Sequence, residues 1–144
     1  MDEYDLKRFL TAQEDSYERA LKEIRNGHKK SHWIWYIFPQ LKGLGYSHNS
    51  DYYGISGIAE AQEYLRNEIL SKRLKEISRA LLELGEDDPV KVMGPVDAKK
   101  LKSSMTLFEY VSDDAVFSEV LKRYFKGERD DRTIEMLKEK ETRQ

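Results

Sequence analysis

The chain has 144 residues, enough for one domain with one buried core. Its 39% apolar content is low and its 36% charged content high, a balance that can signal disorder; nine Tyr, five Phe and two Trp argue instead for a small core inside a Lys/Glu-rich surface. The absence of cysteine excludes disulfides, thiol nucleophiles and cysteine-held zinc or iron–sulfur centres, and a net charge of −2 argues against a generic polyanion binder.

In chain order, the acidic start Met1-Asp2-Glu3-Tyr4-Asp5 lacks an apolar signal region, and no later run approaches a membrane span, so the expected location is the cytoplasm. Asp5 to Leu10 reads as a short helix. Thr11 and Glu14 have the spacing of a capping box for a second helix carrying Tyr17, Ala20, Leu21 and Ile24, with Gly27 as its stop. From Ile24 to Ser50 there is no Asp or Glu, while Arg25, Lys29, Lys30 and Lys42 and all three histidines, His28, His32 and His48, lie there. This stretch either attracts anions locally or is a chance gap in the acids.

Ser31 to Phe38 is nearly continuous apolar sequence, with Trp33, Ile34, Trp35, Tyr36, Ile37 and Phe38 on both parities. The favoured reading is a buried helix capped by Ser31 and ended near Pro39; a buried strand is the alternative. Lys42 to Ile55, with Gly43, Gly45 and Gly54, reads as a long loop of the kind that often carries function. Helix caps are then expected at Ser56, Ser71, Asp97, Asp113 or Asp114, and Asp130 or Asp131, with Asp88-Pro89 opening a short turn and Gly85 and Gly127 closing helices. The prediction is an all-α, compact single domain over residues 5–138, built from seven or eight short helices around one glycine-containing loop, with a polar, frayed tail over 139–144.

Three places carry more chemistry than folding requires. The first is His32 in Lys29-Lys30-Ser31-His32-Trp33, where an imidazole beside bases and stacking rings could orient or protonate a phosphate or a planar ring. It could equally be a histidine satisfied by backbone at a helix start. The second is Asp97 to Thr106, where Asp97, Lys100, Ser104 and Phe108 share a helix face, and Lys99, Lys100 and Lys102 oppose the helix dipole. A solvated lysine face and small serines that permit close helix packing account for it as well. Its spacing does not match Ser-x-x-Lys, which argues against a covalent mechanism. The third, Gly127 to Thr133, reads first as a helix stop followed by a helix start. Walker, Gly-x-Gly-x-x-Gly and His-Glu-x-x-His patterns are absent, Glu60 and Glu63 form an ordinary surface pair, and three irregularly spaced histidines do not make a zinc site.

The string Lys30 to Ser47, with Tyr53-Gly54-Ile55, Glu60-Ala61, Tyr64-Leu65 and Arg73-Leu74, resembles the signature of the domain-of-unknown-function 1810 family. Asp97 with Lys100 to Phe108 resembles its second block, and Gly127, Asp130 and Thr133 its closing Gly-x-x-Asp-x-x-Thr. The resemblance runs from about Leu6 to Leu137 and implies a mostly helical single domain; it supplies no activity. Some members carry a calpastatin label, but this chain shows no disordered inhibitor repeats.

Two functional classes follow. In the first, a pocket binds an anionic, nucleotide-like or phosphorylated small molecule through His32, Trp33, Tyr36, Gln40, Lys42, Gly43, Gly45, Ser47, Lys100, Ser103, Ser104 and Thr106, with Trp33, Trp35 or Tyr36 stacking a ring; any catalysis would be acid–base or electrostatic, on His32 and Asp97. It requires the first two blocks to meet at one pocket. In the second, the aromatic segment builds a protein-interaction module with no catalysis. Nucleic-acid binding is the weakest reading, because Glu14, Glu18 and Glu23 interrupt any basic face. No metal and no membrane partner is indicated, and cofactors and the oligomeric state stay open.

Overall fold

Ten helices and their connections make up residues 3–142, the residues described by this computed structural model. They are α1 (Lys7–Glu14), α2 (Tyr17–Arg25), α3 (Ile34–Ile37), α4 (His48–Tyr52), α5 (Ile58–Arg66), α6 (Glu68–Glu83), α7 (Pro89–Met93), α8 (Pro95–Val111), α9 (Ala115–Phe125) and α10 (Asp131–Thr142). The all-α prediction holds. The count exceeds seven or eight because the long loop contains α4, a single turn, and the turn opened by Asp88-Pro89 is itself a short helix, α7. Among the described residues no helix is long and apolar enough to cross a membrane.

α6 and α8 form the centre. α6 packs on α2, α5 and α9, and α8 on α5, α7, α9 and α10. The stripe Leu70, Leu74, Ile77 and Leu81 of α6 is buried against this group. α8 is less amphipathic than a surface helix, since Leu101, Ser103, Ser104, Met105, Thr106, Leu107 and Phe108 are all buried. Its serines are therefore the small residues of a helix enclosed on nearly every side. A run of rings crosses the core: Phe9 meets Tyr64 edge-on at 5.1 Å, Tyr64 meets Phe108 at 5.3 Å, and Phe108 meets Phe117 at 5.8 Å.

Several helix starts differ from expectation, each for a local reason. Thr11 lies inside α1, which runs on to Glu14 because Phe9 and Gln13 are buried on its inner face. Ser71 lies inside α6, whose cap is Asn67, accepting from the N–H groups of Ile69 and Leu70 at 3.1 and 3.0 Å. α8 begins at Pro95 rather than behind Asp97, after Gly94 at φ 85°. Ser56 gives its backbone N–H to Glu60 Oε1 at 2.8 Å, and the cap position of α5 falls to Gly57. Asp88 and Asp114 cap α7 and α9 as expected. Asp130 likewise accepts from Thr133 N–H at 3.0 Å at the start of α10, which continues to Thr142, into the stretch expected to fray.

The long loop is closed at its base. Leu41 and Ile55 form a parallel bridge in which Lys42 N–H donates to the Ile55 carbonyl and Ile55 N–H to the Gln40 carbonyl, both at 2.9 Å. Arg8 fastens the loop to α1 and α5: its guanidinium donates to the carbonyls of Tyr52 at 2.8 Å and Gly54 at 3.1 Å and pairs with Glu60 at 2.8 Å. Both charged side chains are nearly inaccessible, at 8% and 3% exposure, and the bonds to Gly54 and Glu60 are part-buried. Such a loop is an ordered Ω-type structure rather than a slack connection.

Candidate functional site

The aromatic segment is helical for only one turn. Ser31 does not cap it; α3 starts behind Trp33, and no side chain caps it. The turn before it is held instead by Glu23 of α2. Oε1 accepts from Lys30 N–H at 2.7 Å, Ser31 N–H at 2.9 Å and the Trp33 indole N–H at 3.0 Å, and Oε2 accepts from the Ser31 hydroxyl at 2.6 Å. Burial pushes the Glu23 carboxyl upward, but the hydrogen bonds from Ser31, Lys30 and Trp33 outweigh it and hold the pKa at about 2. Trp33 is thus a core residue with a polar anchor, 1% exposed.

From this turn a chain of charges and rings leads outward. Lys29 Nζ donates to the Ser31 carbonyl at 2.5 Å, lies 4.8 Å from the Trp33 ring centre, and pairs with Asp97 Oδ2 at 2.7 Å. Asp97 Oδ1 in turn meets Lys100 Nζ at 3.3 Å, and Lys100 Nζ lies 3.9 Å from the ring centre of Trp35. Two of the three lysines that oppose the α8 dipole are therefore offset: Lys100 by Asp97 and Trp35, and Lys102 by Glu128 at 3.7 Å.

Beyond Lys100 and Trp35 lies a cleft of about 270 Å³. Trp35, Gln40, Leu44 and Gly45 line it from the aromatic segment and the loop, Val96, Lys99, Lys100 and Ser103 from α8, and Asp130 and Arg132 from the start of α10. Lys99 and Arg132 are exposed, and among the described residues neither makes an ion pair. Asp130 is turned toward its own helix, accepting from the hydroxyl of Thr133 at 2.5 Å, while its N–H donates to Thr106 Oγ1 at 2.9 Å. That last bond fastens α10 to α8 and sets one wall of the cleft.

The cleft gathers four of the residues singled out as ligand contacts: Gln40, Gly45, Lys100 and Ser103. The others lie elsewhere. His32 is exposed and makes no hydrogen bond or ion pair among the described residues. Tyr36 packs on Tyr53 at 5.2 Å, and its carbonyl accepts from Gln13 at 2.7 Å. Lys42 is exposed and 3.6 Å from Asp51. Gly43 faces Met136, whose Cε would be 3.2 Å from an added Cβ, and Ser47 caps α4 by accepting from Ser50 N–H at 3.1 Å. Ser104 is buried in α8 with its hydroxyl unpartnered, and Thr106 holds α10. Asp97 stands behind the cleft, committed to two lysines. Among the described residues no group of three or more His, Asp or Glu could hold a metal ion.

A wider groove of about 610 Å³ runs along α6 beside Arg25. Its lysines and arginines alternate with Glu68, Glu76 and Glu83, Lys75 pairs with Asp114 at 3.3 Å, and Glu76 accepts from Tyr17 at 2.5 Å. It offers no aromatic wall, and three carboxylates stand among its five basic side chains, so the smaller cleft, with Trp35 and a single lining carboxylate, is the better candidate.

The profile of DUF1810, described as a protein of unknown function, matches residues 3–137. The chain belongs to this family. It is similar to a crystal structure of a conserved hypothetical protein from Mycobacterium tuberculosis, at 41% identity and a TM-score of 0.91 over 93% of this chain and 96% of that one. No curated protein matches the chain. Parts of all three blocks that carry the family resemblance meet at the cleft: Trp35 to Gly45, Lys100 with Ser103, and Asp130. Leu44, Val96, Lys99, Asp130 and Arg132 also line it though none was a ligand candidate from the sequence; for the last two, Gly127 to Thr133 is fully accounted for as a helix stop and start. The one signal was Arg132 beside a cap, an unpaired cation in the first turn of a helix.

Proposed function

We propose that this protein binds an anionic, phosphorylated small molecule in the cleft beside Trp35. The observation that carries the reading is convergence: segments far apart in the chain set Lys99, Lys100 and Arg132 around one aromatic wall, against the single lining carboxylate of Asp130, which is already spent on Thr133. The volume of about 270 Å³ suits a ligand of mononucleotide scale or smaller. The reading is one of binding. The pair His32 and Asp97 gains no support as acid and base, since His32 is not among the cleft residues and Asp97 is held by Lys29 and Lys100.

Thermal-shift titration with inorganic phosphate, ribose 5-phosphate and nucleotides tests the proposal. Stabilisation should rise with ligand concentration in the natural protein and shrink in both Lys100→Ala and Arg132→Ala. Arg132 is exposed and unpaired, so its loss does not perturb the fold. No stabilisation by any phosphorylated compound, or equal stabilisation in the variants, overturns the reading. The interaction-module alternative is favoured by Tyr46, fully exposed at 100%, and Val96, 65% exposed. It is set back by the polar partners Glu23 and Lys29 around Trp33, which an aromatic segment serving only as apolar core or patch does not need.

A further inference from the structure

Gln40 differs from the other buried amide of this protein. Gln13, 2% exposed, is fully engaged: Nε2 donates to the Tyr36 carbonyl at 2.7 Å and the Tyr64 hydroxyl at 3.2 Å, and Oε1 accepts from Arg73 at 3.4 Å. Gln40 is 8% exposed, more than nine-tenths buried, yet its side-chain amide makes no hydrogen bond among the described residues. The amide is not sealed off, since the one fully buried side-chain polar atom without a partner among the described residues is Ser104 Oγ; the Gln40 amide therefore keeps its hydrogen-bonding capacity at the surface it lines. Its backbone is fixed, since the Gln40 carbonyl accepts Ile55 N–H at the loop base. Gln40 is thus anchored at its backbone and lines the same cleft as Trp35, Lys99 and Arg132.

We infer that Gln40 reads a planar ring on the bound phosphorylated molecule, one that presents a hydrogen-bond donor and acceptor side by side. This rests on the cleft being the anion site proposed above. A glutamine amide offers one acceptor oxygen and two donor hydrogens in one plane, so its natural complement is another amide or an amidine edge. Nucleobases and ring carboxamides carry such an edge, and glutamine makes this two-point contact with adenine. Trp35 supplies an aromatic surface beside it, and Lys99 and Arg132 meet the phosphate. The substrate class is therefore a nucleoside monophosphate or a related ring-bearing ribose phosphate, and a bare sugar phosphate leaves the amide unfilled.

The experiment is isothermal titration calorimetry on the full chain with AMP, GMP, UMP, CMP and nicotinamide mononucleotide, against ribose 5-phosphate as the ligand without a ring. At least one ring-bearing ligand should bind about tenfold or more tightly than ribose 5-phosphate, the range set by one two-point contact. Gln40→Leu should abolish that advantage and leave the ribose 5-phosphate Kd within about twofold, while Arg132→Ala weakens every ligand. Since the Gln40 amide makes no hydrogen bond among the described residues, the Leu variant should melt at or above the natural temperature. If it does not fold, Gln40→Met, close in shape, uncharged and lacking the amide, carries the same comparison. Equal affinity for ribose 5-phosphate and every ring-bearing ligand overturns the inference and leaves the anion site standing. A ring preference that survives in the Gln40 variant overturns it as well. Failure of every phosphorylated ligand to bind removes the anion site and this inference with it.

Discussion

Lys29 and Asp97 meet at 2.7 Å with side chains only 5% and 18% exposed, and this contact ties the turn before the aromatic segment to the first turn of α8. A buried ammonium needs partners to offset its lost hydration, and Lys29 has a carboxylate, a backbone carbonyl and the face of Trp33. The second oxygen of Asp97 holds Lys100 beside Trp35. Asp97 is therefore the joint between core and cleft.

Asp97→Ala should lower the free energy of unfolding by about 3 kcal/mol, the usual cost of stranding one member of a buried pair. Adding Lys29→Met should recover a large part of it, because no charge is then left uncompensated. Urea denaturation of the two single variants and the double variant supplies the cycle. A loss below about 0.5 kcal/mol for Asp97→Ala would place the pair with ordinary surface ion pairs and contradict this account.

Glu23 ties folding to acid. Its pKa is held at about 2 in the folded chain against the ordinary 4.5, so the folded state gives up the proton more readily than the unfolded chain. Its contribution is complete above about pH 4.5 and drains away as the pH falls toward 2; the separation corresponds to about 3 kcal/mol. Glu23→Gln cannot titrate, and its NH2 group would face donors. At pH 7 it should melt well below the natural protein, and by pH 2.5 the gap should shrink to about a quarter, closing only as the pH falls through about 2. Parallel melting curves with a constant gap between pH 2.5 and 7 would contradict the assignment.

What was legible in the sequence divides along these contacts. Helices with their own local signals read correctly: Asp88-Pro89 and Asp114 cap their helices, and the stripe of α6 is buried as spaced. Ser31, Ser71 and Asp97 were misread as caps for one reason. Each stands near a helix start, but the cap position is decided by which residue the tertiary fold leaves there: Trp33, Asn67 and Gly94. The cleft was half legible. Lys100 and Ser103 break a helical rule, and Gln40 and Gly45 flank an unusual run. Arg132 reaches the cleft only because Asp130 bonds to Thr106, a contact between distant segments that no local pattern contains.

The loop base gives a test by steric exclusion. A Cβ on Gly54 would lie 2.6 Å from Lys42 Cα and 2.8 Å from the Ser50 carbonyl oxygen, backbone atoms that cannot step aside. Gly54→Ala should cost about 1–3 kcal/mol and open the bridge between Leu41 and Ile55. Hydrogen exchange at the Lys42 and Ile55 amides should quicken while the α6 core amides keep their order of protection. Unchanged exchange at both amides would mean the loop is not closed at that point.

Ser104 and Thr106 are two hydroxyls on one buried helix with opposite expected responses. Thr106 Oγ1 donates to the Lys102 carbonyl at 2.7 Å and accepts from Asp130 N–H at 2.9 Å. Thr106→Val leaves a buried N–H unpaired at the start of α10 and should cost about 1–3 kcal/mol. Ser104 is fully buried and its hydroxyl has no partner. Ser104→Ala removes a desolvated polar group, adds helix propensity and changes little volume, so it should be neutral or stabilising by up to about 1 kcal/mol. Thermal melting separates the two directly. A drop of several degrees for Ser104→Ala would show that this hydroxyl has a partner in the working protein. If ligand affinity fell with it, Ser104 would belong to the binding site rather than to the packing of α8.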